Sequence, residues 1–103
     1  MENVLNRPLT QIAISPDVLN LIPKEFMETH GILPFDFSST GVLCIATSLY
    51  EQTIQNLSII TETLRKQHPE INGIKVYQVE DKNFQEGFLT HLHSAFIMKT
   101  NNI

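Results

Sequence analysis

The stretch Gly31-Ile32-Leu33-Pro34-Phe35-Asp36-Phe37-Ser38-Ser39-Thr40-Gly41-Val42-Leu43-Cys44-Ile45-Ala46 decides the fold class. Ser38-Ser39-Thr40-Gly41 is turn chemistry lying between two apolar runs. In the first run Ile32, Leu33, Phe35 and Phe37 flank Pro34 and Asp36. A proline lacks the ladder donor, so Pro34 belongs at a sheet edge or a strand opening. The second run, Val42 to Ala46, is apolar without interruption, as in a strand buried on both faces or lying centrally. Together they predict an antiparallel hairpin with a short loop.

Upstream, Ser15-Pro16-Asp17 reads as a helix start. Ser15 is a good N-cap, Pro16 sits where a missing N–H costs nothing, and Asp17 suits the positive helix end. Val18, Leu19, Leu21 and Ile22 form a short apolar face. Pro23 breaks it, because a mid-helix proline costs about 3 kcal/mol. Pro23 is expected as the first residue of a second helical turn carrying Phe26 and Met27, with Gly31 as its left-handed C-cap. Residues 1–14 are weakly patterned.

Downstream, Ser48-Leu49-Tyr50-Glu51 reads as a capping box. Tyr50, Ile54, Leu57, Ile60 and Leu64 then recur at helical spacing through Gln67. His68-Pro69 ends this helix and Asn72-Gly73 makes a turn. Residues 74–79 alternate with period two, a third strand. Asp81 is expected to cap a last helix whose apolar face is Phe84, Phe88, Leu92, Ala95 and Phe96. The order is αββαβα, an α+β fold with a three-stranded, mainly antiparallel sheet packed against helices. One domain is expected over residues 1–103, with its core at about 12–97, a loose lead-in at 1–11 and a loose tail at 100–103. The kinked first helix is expected to cross the sheet, with Leu19, Ile22, Phe26, Val42, Ile45, Ile54, Leu57, Leu64, Val76, Phe88 and Leu92 in one core. The expected strand order puts residues 74–79 beside residues 32–37, since a right-handed crossover can skip a strand.

Charge and composition narrow the function classes. Seven Lys/Arg against eleven Asp/Glu give a net charge of −4, which offers no footprint for nucleic acid or anionic lipid. A lone cysteine fits a reducing compartment. No run approaches the ~18 apolar residues of a membrane span, and residues 1–8 lack a signal-peptide core. A cytoplasmic domain without direct membrane insertion is expected.

The candidates for chemistry each have a plainer role. The four glycines are isolated and no phosphate loop is present. His91 and His93 are two apart and point to different sides of a helix, whereas a metal pair needs three or four; His30 and His68 stand alone. Cys44 lies in an apolar strand without a basic sequence neighbour, the setting of an inert cysteine. Glu80-Asp81 suits a helix start better than acid–base work. Phe84, Phe88 and Phe96 fall at core spacing. The expectation is no enzyme, with no catalytic, cofactor-binding or metal-ligating residue.

Ile14-Ser15-Pro16-Asp17-Val18-Leu19-Asn20-Leu21-Ile22-Pro23-Lys24-Glu25-Phe26 resembles the pattern I-x-P-x-x-x-x-L-I-P-x-x of the N-terminal domains of type II secretion and type IV pilus assembly ATPases. This is the general-secretion E-protein N-terminal family, related to the MshEN domain. Gly31-Ile32-Leu33-Pro34 and Gly41-Val42-Leu43-Cys44-Ile45-Ala46 continue the resemblance in order, and it extends over about residues 12–97. The sequence departs from the family at Thr47-Ser48-Leu49, which replaces an Asp-Pro-type turn, and in the length of residues 49–72. The tandem R-L-G-x-x-L motifs that bind cyclic-di-GMP in MshEN domains have no counterpart in residues 1–13, so binding by that mode is not carried over. Nor do the 103 residues include the Walker-bearing ATPase domain. The resemblance implies a non-catalytic protein-interaction domain whose partner is a secretion or pilus assembly component, with the partner-binding face left open. The alternative is a regulatory domain that binds cyclic-di-GMP by a degenerate mode.

Overall fold

The structure, a computed structural model, describes residues 4–93. Helix α1 is Pro16–Leu19; the Ser15 hydroxyl caps it by accepting the Asp17 N–H at 3.1 Å. Helix α2, Lys24–His30, starts after Pro23, which adopts extended angles (φ −60°, ψ 145°) as the N-cap residue rather than the first helical position. The proline thus separates two helices where one kinked helix was expected. Gly31 closes α2 at φ 64°, and its N–H reaches the Met27 carbonyl at 2.8 Å.

Strands β1, Leu33–Phe37, and β2, Val42–Thr47, form the expected hairpin, with a register shift between Pro34 and Asp36. Strand β3, Gly73–Gln78, pairs with β2 in parallel from Val42↔Gly73 to Thr47↔Gln78. The order is therefore β1-β2-β3, which corrects the expectation that the third strand lies beside the first. The uninterrupted apolar run belongs in the middle of the sheet, and Pro34 keeps β1 at an edge. A β2–helix–β3 crossover to the adjacent position then makes that pair parallel. The class is α+β, and the three-stranded sheet is mixed.

The crossover is two helices, α3 (Tyr50–Gln55) and α4 (Leu57–Gln67), divided at Asn56 (φ −99°, ψ 8°). Asparagine competes for backbone hydrogen bonds and readily leaves helical geometry. The expected capping box does not form, and Leu49 is the N-cap residue of α3, without a side-chain cap bond. Thr47 supplies the polar contact instead, its Oγ1 accepting the Leu49 N–H at 2.9 Å, while the Ser48 hydroxyl donates to Asp81 at 3.3 Å. Helix α5, Asp81–Leu92, has Glu80 at its N-cap position with no side-chain cap bond, so Asp81 is its first residue and not its cap.

One core forms, and Ile22, Ile45, Leu64, Val76 and Phe88 lie in it as expected. Leu19, Phe26, Val42, Leu57 and Leu92 are only half-buried, and Ile54 is 42% exposed. Helix α1 packs mainly on β1. Leu9 was expected in a loose lead-in, yet it is fully buried within a 3-10 turn, Leu9–Gln11, set against α5. Residues 4 and 5 are tied to Gln78 of β3 by a parallel bridge and by the Leu5 N–H at 2.9 Å. Ala95, Phe96 and the expected tail at 100–103 lie outside the described residues.

Candidate functional site

The stripe Ile54, Leu57, Ser58, Thr61, Glu62 and Arg65 runs down one side of α3 and α4 at helical spacing. With Gly73 and Ile74 of β3 opposite, it lines an open groove of about 910 Å³. Ile54, Leu57 and Ile74 make the groove apolar, and none of the three is fully buried. Glu62, Arg65 and Lys66 form its charged end. Arg65 and Lys66 occupy the last turn of α4, where cations suit the helix dipole. That end carries a local excess of positive charge in a chain whose net charge is −4.

Two features of sequence lie along this groove. Asn56 marks the joint between α3 and α4, and Ile54 just before it is at the surface. Gly73 opens β3 beside α4 without a side chain. Sequence reading placed Ile54 and Leu57 in the core and so missed the groove. The available signal was the helical spacing itself, since Ile54 is six positions before the buried Ile60 and falls off its face at 3.6 residues per turn.

The other candidate residues are dispersed. The His30 ring packs against Phe26 in a tilted contact with centroids 4.4 Å apart, and burial lowers its pKa. His68 sits 3.5 Å from Glu70 on the loop after α4. His91 Nε2 lies 2.8 Å from the Leu9 carbonyl, while His93 ends α5 in a left-handed conformation at φ 58°. The Cys44 thiol is half-buried on β2; burial and then Asp36 raise its pKa, against Lys75. Asp81 accepts the Ser48 hydroxyl, and Phe84 and Phe88 are core residues with ring centroids 5.8 Å apart. Among the described residues no three His, Cys, Asp or Glu side chains gather as a metal site, and no helix is long and apolar enough to cross a membrane. Phe96 lies outside the described residues.

Both sheet edges are modified. On β1, Pro34 lacks a donor and Asp36 is exposed, two features that discourage strand addition. On β3, the Val4–Gln78 bridge covers the C-terminal end.

The family described as MshEN domain matches residues 7–86. The chain belongs to the MshEN domain family. It is thereby related to the N-terminal domain of type II secretion and pilus ATPases. The matched span of this MshEN domain runs from the buried 3-10 turn through the first half of α5 and includes every strand and the groove. No curated protein and no solved structure matches it.

Proposed function

We propose that this MshEN domain is a non-catalytic docking module of a secretion or pilus assembly motor. Its site is the groove between α3–α4 and β3, and its occupant is a segment of an assembly protein. That segment presents apolar side chains to Ile54, Leu57 and Ile74 and carboxylates to Arg65 and Lys66. The observation that carries this reading is Ile54, a large aliphatic residue 42% exposed beside the groove. Apolar surface of this kind, rimmed by charge, is the usual setting of a protein contact. The family kinship supports the class of partner, since such domains belong to secretion and pilus motors.

Calorimetric titration of the chain with the cytoplasmic part of an inner-membrane assembly protein from the same system tests the proposal. Saturable heat is expected, lost or weakened at least about tenfold by Ile54→Glu, because a charge in an apolar contact must be desolvated. A parallel titration with cyclic-di-GMP is expected to stay flat. Saturable heat with the dinucleotide and none with the protein would establish the regulatory alternative instead.

A further inference from the structure

Asp36, Cys44 and Lys75 stand in one row across the sheet, paired Asp36↔Cys44 on one side and Cys44↔Lys75 on the other. Residues paired in this way share a face. This face is opposite to the one on which Leu43, Ile45 and Val76 enter the core, because the side chains alternate along each strand. Asp36 and Lys75 are exposed and Cys44 is half-buried. Beside the row, Phe35 and Tyr77 meet across β2 at 5.4 Å in an edge-to-face contact, and Ala46 between them is fully buried. Lys75 Nζ lies 5.4 Å from the Tyr77 ring centre. The face therefore carries a half-buried apolar and aromatic strip with a negative charge at one border and a positive charge at the other.

We propose that this sheet face binds a second copy of the chain, in a two-fold dimer centred on Cys44. Neighbouring strands are about 4.8 Å apart, so the two charges flank Cys44 at nearly equal distances. A two-fold axis parallel to β2 and lying between the copies exchanges left and right across each sheet. It sets Asp36 against Lys75 of the partner subunit, sets Lys75 against Asp36 of the partner subunit, and brings the two Cys44 positions face to face. An isologous contact needs such a self-complementary patch, in which residue i meets j and j meets i. Other partners would have to supply matching charges in the same spacing, whereas a second copy carries them already. The docking groove is lined by α3, α4 and β3 residues other than these, so this dimer stands independently of the proposed docking role.

The test is sedimentation of the chain and of two charge reversals, alone and mixed. The wild-type chain is expected to dimerise with concentration. Asp36→Lys and Lys75→Asp each convert two attractions into two repulsions, and each alone is expected to dimerise at least about tenfold more weakly. An equimolar mixture of the two variants restores both pairs and is expected to give heterodimers, which also shows that both variants are folded. A wild-type chain that stays monomeric at its highest soluble concentration would overturn the proposal. So would a dimer that Asp36→Lys leaves unchanged, or a mixture that fails to associate.

Discussion

A Cβ added to Gly87 would lie 2.5 Å from the Cβ of Leu9, closer than packed side chains come. The N-terminal segment is therefore laid directly on the backbone of α5. Residues four positions before and four positions after the glycine hold it on either side. Asn83 accepts the Leu9 N–H at 2.8 Å and donates to the Arg7 carbonyl at 3.1 Å, and the His91 ring meets the Leu9 carbonyl at 2.8 Å. Gly87→Ala is expected to destabilise by about 1–3 kcal/mol, the usual range for overpacking. Leu9→Ala should cost about 2–5 kcal/mol, since the side chain is fully buried. Denaturant unfolding measures both, and a change of a few tenths for Leu9→Ala would contradict the docked segment.

Thr47 organises the start of the crossover. Its fully buried hydroxyl donates to the Gly31 carbonyl at 2.7 Å, accepts the Leu49 N–H at 2.9 Å and accepts the Thr53 hydroxyl at 3.3 Å. That uses the whole capacity of a hydroxyl, one donor and two acceptors. Thr47→Val keeps the shape and strands three polar groups, so a loss of about 1–3 kcal/mol is expected. Thr47→Ser, which keeps the hydroxyl, should recover part of that loss in the same unfolding assay.

Phe88 and Leu57 separate core from groove. Phe88 is fully buried, and Phe88→Ala should cost about 3–5 kcal/mol. Leu57 is half-buried on the groove wall. Leu57→Ala removes less buried area, at ~25 cal/mol per Å², and leaves no closed cavity, so it should cost under about 1.5 kcal/mol. Equal losses at the two positions would mean that α4 presents a different face.

His30 links stability to pH. Burial lowers its pKa in the folded chain, so the unfolded chain takes up the proton first as pH falls. Its contribution is present in full above the unfolded value of about 6.5 and is lost on acidification through the lower folded value. His30→Gln should flatten the stability profile in that window relative to wild type. Parallel unfolding curves between neutral and mildly acidic pH check this, and an unchanged profile would contradict it.

What the sequence revealed was local. Ser15, Pro23 and Gly31 set helix ends through backbone rules that act over a few residues, and Ser38-Ser39-Thr40-Gly41 closed the hairpin in the same way. The fate of Leu9 and Thr47 was not legible, because their partners Asn83 and Gly31 are distant in the chain or belong to backbone that no side-chain pattern marks. Strand order was misjudged even though Pro34 and the unbroken run of residues 42–46 both favoured β2 at the centre. The crossover rule alone permits either neighbour. The groove was hidden because Ile54 and Leu57 repeat roughly as core residues do, yet Ile54 falls six positions before the buried Ile60 and so off its face, and Leu57 is only half-buried.

The proposed function stands on docking in the groove between α3–α4 and β3. Amide chemical-shift mapping tests it most directly, with the labelled chain titrated by the cytoplasmic part of its inner-membrane assembly protein. Saturable shifts clustered at Ile54, Leu57, Arg65, Lys66 and Ile74 are expected, abolished by Ile54→Glu. Shifts confined to residues outside the groove, or a spectrum that responds to cyclic-di-GMP and not to the protein, would contradict it.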